Sequence, residues 1–129
     1  IINFGARLNE CLIASENLKK KGINITIFDA RFVKPLDEST IWQLATDHEV
    51  IISIEEGSIG GFGSHISQYL FDKNLIDNDL KFRSMIFPDR FIDHDKPEQM
   101  YKYAGLDASS IELKILDTLN SKVVIKKSN

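Results

Sequence analysis

Residues 51–63, IISIEEGSIGGFG, decide the fold of this chain. Three β-branched apolar residues, Ile51, Ile52 and Ile54, predict a strand that is buried on both faces. Two carboxylates follow, and then a glycine cluster that predicts a turn with positive φ or a close approach of the backbone. The next apolar residues recur at i, i+4, i+7 and i+8 and form one buried helix face: Phe62, Ile66, Tyr69 and Leu70. A strand, a glycine turn and a helix in this order are typical of half a βαβ unit.

Three further strands are predicted on either side of this stretch. We expect them at residues 1–4, 23–28 and 81–87. In the second, Ile23, Ile25 and Ile27 share one face and polar residues occupy the other, which indicates a position near the sheet edge.

Four further helices are predicted from apolar spacing and from end signals. The first covers residues 7–21, and the second begins after Asp37, which can cap it. Pro97 fits the first turn of a short helix that ends at Gly105, and Asp107 can cap a last helix. The residues expected on the buried faces of the first, second and last helices are Leu8, Cys11, Leu12, Ser15, Leu18, Ile41, Trp42, Leu44, Ala45, Ile111, Ile115 and Leu119.

Strands and helices alternate along most of the chain, which is typical of an α/β fold with a mainly parallel sheet. Ligands and partners of such sheets collect at the carboxyl ends of the strands, near the point where the strand order reverses. The segments predicted at that edge are residues 5–7, 29–34, 55–63 and 88–94.

Composition sets the outer limits. A length of 129 residues and a hydrophobic content of 43% fit one domain with a real core, which we expect at residues 1–120, followed by a polar tail at 121–129. A net charge of −3 with scattered Lys and Arg argues against a nucleic-acid partner. Apolar runs fall far short of the roughly 20 residues that span a bilayer, so no membrane role is expected.

Cys11 is the only cysteine and is expected to be a small buried residue, which fits a reducing compartment. Because the chain begins with Ile1 inside an apparent strand, we expect it to be a fragment of a longer protein.

The glycine cluster is the main candidate site. Its spacing matches neither a dinucleotide-binding G-x-G-x-x-G nor a P-loop. A helix N-terminus offers about half a positive charge, whereas two adjacent carboxylates bring two negative charges, which disfavours a phosphate. The expected role is therefore a turn that packs against a neighbouring helix or subunit, with anion binding as the alternative. The candidate interface or loop residues are Glu55, Glu56, Gly57, Gly60, Gly61, Phe62, Gly63 and His65. Of these, His65 is placed to reach a partner's cleft.

Other polar groups indicate structural roles. Asp29, Arg31 and Lys34 can form an ion pair that holds the loop after the second strand, and His48 fits a helix end. Residues 93–95, Asp-His-Asp, have no further ligand at helical spacing and therefore do not predict a metal site. No catalytic, cofactor-binding or metal-binding residue is assigned in this chain.

Four blocks of sequence carry a resemblance to a known family. They are DARFVKPLD from Asp29, EEGSIGGFGS from Glu55, PDRFIDH from Pro88 and AGLDASSIELKI from Ala104. In this order and spacing they resemble the C-terminal domain of the 1-deoxy-D-xylulose-5-phosphate synthases, thiamine-diphosphate-dependent members of the transketolase family. The resemblance covers residues 4–116, and Phe87 and Asp95 depart from the usual pattern, where Leu and Gly are common.

The resemblance implies a three-layer α/β/α domain with strand order second, first, third, fourth, and an antiparallel strand upstream of this chain. It implies that thiamine diphosphate and Mg²⁺ are held by preceding domains, which also bind pyruvate and glyceraldehyde 3-phosphate. The implied task of this domain is to complete the subunit and to help form a homodimer, in a bacterial cytoplasm or a plastid stroma.

Several alternatives remain open from the sequence. The chain can be the same domain of a transketolase or of a 2-oxo acid dehydrogenase β subunit, where it can dock a partner. From other classes, it can be a free-standing module that binds a nucleotide or phosphate at residues 57–63. It can also be a pure interaction module, for which we expect an exposed apolar patch next to the glycine loop.

Overall fold

A four-stranded parallel sheet forms the centre of the molecule. The computed structural model describes residues 1–121, except for the side chain of Asn78. The strands are β1 (Ile2–Phe4), β2 (Phe28–Ala30), β3 (Val50–Glu55) and β4 (Lys81–Met85). Their order is β2-β1-β3-β4 and all neighbouring pairs are parallel, so the predicted strand order is confirmed. The order reverses between β1 and β3, and their carboxyl ends therefore flank the crevice where such sheets usually receive ligands.

Helices cover both faces of this sheet. They are α1 (Leu8–Lys19), α2 (Glu38–Asp47), α3 (Phe62–Asp72), α4 (Pro97–Ala104) and α5 (Ala108–Asn120), with a 3-10 turn at Ile76–Asn78. Buried residues of α1 and α5 pack on one face, and those of α2 and α3 pack on the other. The molecule is thus a three-layer α/β/α domain, as expected. In residues 1–121, no helix combines the length and the apolar character that crossing a bilayer requires.

Strand β3 is buried on both faces, as its sequence predicts. Ile51 lies in the core with α2 and α3, whereas Ile52 and Ile54 lie in the core with α1 and α5. The predicted stripe of α3 is confirmed, because Phe62, Ile66, Tyr69 and Leu70 are all buried in the first of these cores.

The second strand begins later than predicted. Residues 23–27 form no strand, and β2 starts at Phe28, the last residue of the predicted segment. The segment before β2 already lies beside β1: Phe28 N donates to Ile1 O at 2.9 Å, and the Ile1 amino group donates to Thr26 O at 2.7 Å. The alternation of apolar and polar residues nevertheless indicated the face that packs inward: Ile23 and Ile25 are partly buried against the core formed with α1 and α5.

Two side chains that were expected in the core are exposed. Leu12 is 49% exposed and Trp42 is 46% exposed. The buried stripe of α1 runs through Cys11, Ala14 and Leu18. Leu12 follows Cys11 by one residue, which turns its side chain about 100° around the helix, away from the sheet. Trp42 follows the buried Ile41 in the same way.

Helix ends follow the sequence in one case and the tertiary structure in another. Asp37 caps α2 as predicted, since its Oδ1 accepts a hydrogen bond from Thr40 N at 3.1 Å. This bond, together with hydrogen bonds from the Thr40 and Ser39 hydroxyls, lowers the pKa of Asp37. Asp107 occupies the N-cap position of α5 but accepts from the Ser110 hydroxyl instead of a helix amide. The predicted tail at residues 121–129 lies outside the described residues, except for Ser121.

Candidate functional site

The glycine loop connects β3 to α3 at the carboxyl edge of the sheet. Glu55, the last residue of β3, is only 4% exposed. Its Oε1 accepts from Phe62 N at 3.0 Å and its Oε2 accepts from Gly63 N at 2.6 Å. A carboxylate of this chain therefore occupies the N-terminus of α3, where the free N–H groups and the helix dipole would otherwise favour a bound anion.

The glycines make room for this carboxylate. A Cβ at Gly57 or at Gly61 would overlap Glu55 Oε1, and a Cβ at Gly63 would lie 2.7 Å from Ser53 Oγ. Gly60 has a φ of +92°, in the left-handed region that L side chains rarely adopt. The predicted close approach and positive φ are both confirmed.

Glu56 faces away from the loop, toward α4. Its Oε1 accepts a hydrogen bond from the Tyr101 hydroxyl and lies 3.6 Å from Arg7 Nε. The Arg7 guanidinium lies over the Tyr101 ring, 3.4 Å from its centroid. The hydrogen bond to Glu56, together with desolvation, raises the pKa of Tyr101. We refer to Arg7, Glu56 and Tyr101 as the Tyr101 cluster.

Sequence reasoning did not find the Tyr101 cluster. Arg7 follows β1, Glu56 follows β3, and Tyr101 lies in α4, so the three are far apart in the chain. The only signal was the expectation that residues after β1 and β3 meet at one edge of the sheet. Nothing in the spacing of Tyr101 indicated that it would reach them.

The eight candidate loop residues differ in accessibility. Glu55, Phe62 and Gly63 are buried, Gly60 is exposed, and the others are partly buried: Glu56, Gly57, Gly61 and His65. Phe62 is 2% exposed and stacks on Phe4 with ring centroids 4.9 Å apart, which makes it a core residue. His65 lies on the first turn of α3, and its N–H donates to Gly61 O.

Exposed apolar side chains do flank the loop. Ile59, at its tip, is 75% exposed. Phe32, which follows β2 at the same edge of the sheet, is also exposed. Beside it lies a mostly apolar cleft of about 260 Å³ whose lining includes Phe32, Leu36 and Phe62.

The ion pair predicted after β2 is wrong. In residues 1–121 the ion pairs are Arg7–Glu56 and Lys21–Glu112, and neither Arg31 nor Lys34 contributes one. Asp29 instead accepts from Asn3 Nδ2 at 2.6 Å, because β1 and β2 are in register at these two residues.

His48 has the structural surroundings expected of a helix end. Its Nδ1 lies 3.0 Å from Leu44 O, and its Nε2 lies 2.8 Å from Thr26 Oγ1. The ring thus joins the end of α2 to the segment before β2, at the edge of the sheet opposite the glycine loop. A cavity of about 270 Å³ opens beside it, with a lining that includes Ile25, Leu44 and Ile115.

The glycine loop does not fit thiamine diphosphate. A diphosphate at the N-terminus of α3 would meet the Glu55 carboxylate, which already accepts two of the amide hydrogen bonds there. Nor does the part of the chain that the structure describes bring three His, Cys, Asp or Glu side chains together as ligands for Mg²⁺.

Comparison with known protein families assigns most of the described residues to one family model. The family model described as "Transketolase, C-terminal domain" matches residues 1–111. This range begins before β1 and ends in the first turn of α5, so it includes the whole sheet, the glycine loop and the Tyr101 cluster.

Proposed function

Because the chain belongs to the transketolase C-terminal domain family, we propose that it is the C-terminal domain of a 1-deoxy-D-xylulose-5-phosphate synthase. The four sequence blocks from Asp29, Glu55, Pro88 and Ala104 support the synthase among the members of this family. The full enzyme would condense pyruvate with glyceraldehyde 3-phosphate and release CO₂, for isoprenoid-precursor and thiamine biosynthesis. We place it in a bacterial cytoplasm, with the plastid stroma as the other compartment.

In this proposal residues 1–120 act as a structural domain. The carboxylate of Glu55 at the N-terminus of α3 is the observation that carries this role, because it removes the usual anion site of the fold. Thiamine diphosphate and Mg²⁺ would therefore be bound by the other domains of the enzyme. The partners of this domain would be those upstream domains and a second subunit, which the exposed Ile59 could contact.

The cofactor part of the proposal is tested by calorimetry. We expect no binding heat when thiamine diphosphate and Mg²⁺ are titrated into this 129-residue chain. Saturable binding to the chain would contradict the proposal, because no group assigned here can hold a diphosphate.

The identity of the enzyme is tested by its substrates. The family match is equally compatible with a transketolase or with a 2-oxo acid dehydrogenase β subunit. We expect the full enzyme to release CO₂ from pyruvate when glyceraldehyde 3-phosphate is present. Transfer of a two-carbon unit from a ketose phosphate would favour a transketolase, and acyl transfer to a lipoyl group would favour the dehydrogenase.

The assembly part of the proposal is tested at Ile59. Ile59→Asp should weaken the dimer of the full enzyme at least about 10- to 100-fold, since burying one such side chain contributes about 1.5–3 kcal/mol and a homodimer holds two copies. Phe71→Asp is the matched control, because Phe71 is also exposed but lies near the far end of α3. Sedimentation of both variants over a range of concentrations gives the answer, and a dimer unaffected by Ile59→Asp would remove the loop from the interface.

A further inference from the structure

The segment from Pro88 to Ala104 is weakly attached to the rest of the molecule. We call residues 88–104 the strap; it consists of an irregular stretch and α4. Helix α4 has no buried residue, and the Phe91 side chain in the irregular stretch is fully exposed. Just before the strap, Phe87 N donates to Gly57 O at 2.9 Å and fixes its start; at its end, Leu106 N donates to Tyr101 O at 2.9 Å, which closes the last turn of α4.

One side chain, Tyr101, supplies the polar attachment between these ends. Tyr101 and Ala104 pack, partly buried, against the core with α1 and α5, and alanine contributes little area. Within the described residues, the Tyr101 hydroxyl makes the only side-chain hydrogen bond from the strap to another part of the chain. The contact between Arg90 and the Tyr103 ring lies inside the strap and does not attach it.

Three contacts converge on Tyr101. Its hydroxyl donates to Glu56, its ring lies under the Arg7 guanidinium, and the same ring packs against the Phe87 ring at a centroid distance of 5.8 Å, with the ring planes tilted by 33°. Arg7 Nε is buried without a hydrogen-bond partner, so the ring and the Glu56 carboxylate are what hold this guanidinium. The strap therefore covers charged groups at the carboxyl ends of β1 and β3.

We propose that Tyr101 is a latch that holds the strap closed over Arg7 and Glu56, and that the strap opens as a unit while the sheet stays folded. Opening exposes this ion pair in the crevice between β1 and β3. A segment with few buried contacts is the part of a fold that opens at the lowest free energy. The proposal concerns this chain alone and does not depend on the enzyme to which it belongs.

Hydrogen exchange measured by mass spectrometry tests the latch. Tyr101→Phe removes the hydroxyl and keeps the ring, and it should accelerate exchange of the α4 amides roughly 10- to 100-fold, as expected for losing a hydrogen bond to a charged group. Tyr101→Ala should accelerate exchange of the α4 amides more than Tyr101→Phe does, and Glu56→Gln should accelerate it less than Tyr101→Phe does. Amides of β3 and α3 should keep their rates.

Tyr103→Phe is the control. Tyr103 lies on the same helix and is exposed, so this change should leave exchange in the strap unaltered. The latch is refuted if Tyr101→Phe leaves the α4 rates unchanged, or if Tyr103→Phe raises them equally. Equal acceleration in the sheet would also overturn the proposal, because it would indicate loss of global stability instead of strap opening.

Discussion

Two adjacent carboxylates, Glu55 and Glu56, have opposite tasks in this molecule. Glu55 ends β3 and turns toward α3, where it accepts hydrogen bonds from two helix amides. Glu56 points to the other side and accepts from Tyr101. The alternation of side chains along an extended strand causes this division, since consecutive residues face opposite sides of the sheet. The glycine loop, whose composition resembles that of a phosphate-binding loop, thus surrounds a carboxylate of this chain, that of Glu55.

At the residue scale, Glu55→Gln should destabilise the fold. The amide side chain offers an acceptor oxygen and an NH₂ group that only donates, so one helix N–H now faces NH₂ and loses its hydrogen bond, while the other bond is no longer charge-assisted. We expect the free energy of unfolding to fall by about 2–3 kcal/mol, measured by urea denaturation. Glu16→Gln on the exposed face of α1 is the control and should change it by less than about 0.5 kcal/mol. Equal stability of the two variants would mean that the cap contributes nothing.

Cys11 gives a second prediction at this scale. Desolvation by burial is the main cause that raises the pKa of the Cys11 thiol from 9.0 to about 11. At pH 8 this leaves roughly a hundredfold less thiolate than in the unfolded chain, in addition to the steric protection of a buried sulfur. Because the neutral thiol is favoured in the fold, its contribution to stability is present below pH 9 and is lost as the pH rises through 11. Reaction with a disulfide reagent should therefore be slow in native protein and fast in urea; rapid native reaction at pH 8 would contradict this.

At the scale of elements, helix α5 depends on another helix for its cap. The Oε2 of Glu10 in α1 accepts a hydrogen bond from Ala108 N at 3.0 Å. In the other direction, Oε1 of Glu112 in α5 accepts from Asn17 Nδ2 in α1 at 2.7 Å. Each helix thus supplies a carboxylate to the pair. Hydrogen bonds and the shared core together fix α1 against α5.

Glu10→Ala tests this cap. Loss of a helix N-cap acceptor costs about 0.5–2 kcal/mol, so we expect a decrease of about 1 kcal/mol in the free energy of unfolding. Faster hydrogen exchange should appear in the first turn of α5. Asn9→Ala, one residue earlier on the exposed side of α1, is the control and should alter neither quantity. If Glu10→Ala and Asn9→Ala change the free energy of unfolding equally, the hydrogen bond accepted by Glu10 does not stabilise the start of α5.

At the scale of the whole molecule, β3 joins two hydrophobic cores into one unit. Ile51 belongs to the core with α2 and α3, whereas Ile52 and Ile54 belong to the core with α1 and α5. Neither core can be assembled without this strand. The two layers of helices are therefore expected to unfold together.

The only tryptophan and the only cysteine report on opposite layers, which makes this expectation testable. Trp42 lies on α2 and Cys11 lies on α1. The urea transition followed by Trp42 fluorescence should coincide with the transition followed by Cys11 reactivity, with equal midpoints and slopes. Separate midpoints would show that the layers unfold independently.

Most of the fold was predictable from local sequence, and the exceptions have physical reasons. Apolar periodicity identified β3 and α3, and Pro97 and Gly105 marked the ends of α4. Leu12 and Trp42 were misplaced, because apolarity alone does not fix which side of a helix faces the sheet. The strand predicted at residues 23–28 was displaced, because strand pairing depends on the neighbour and not on the segment itself.

The sequence by itself determined the α/β class, the order of elements and the need for glycine at the turn after β3, since backbone sterics and apolar spacing are properties of neighbouring residues. Only the tertiary structure decided that Glu55 fills the end of α3, that Glu10 caps α5 and that Tyr101 closes over Arg7 and Glu56. These contacts join residues from 7 to 98 positions apart. A side chain chooses among many polar groups within its reach, and that choice exists only after packing has brought them together.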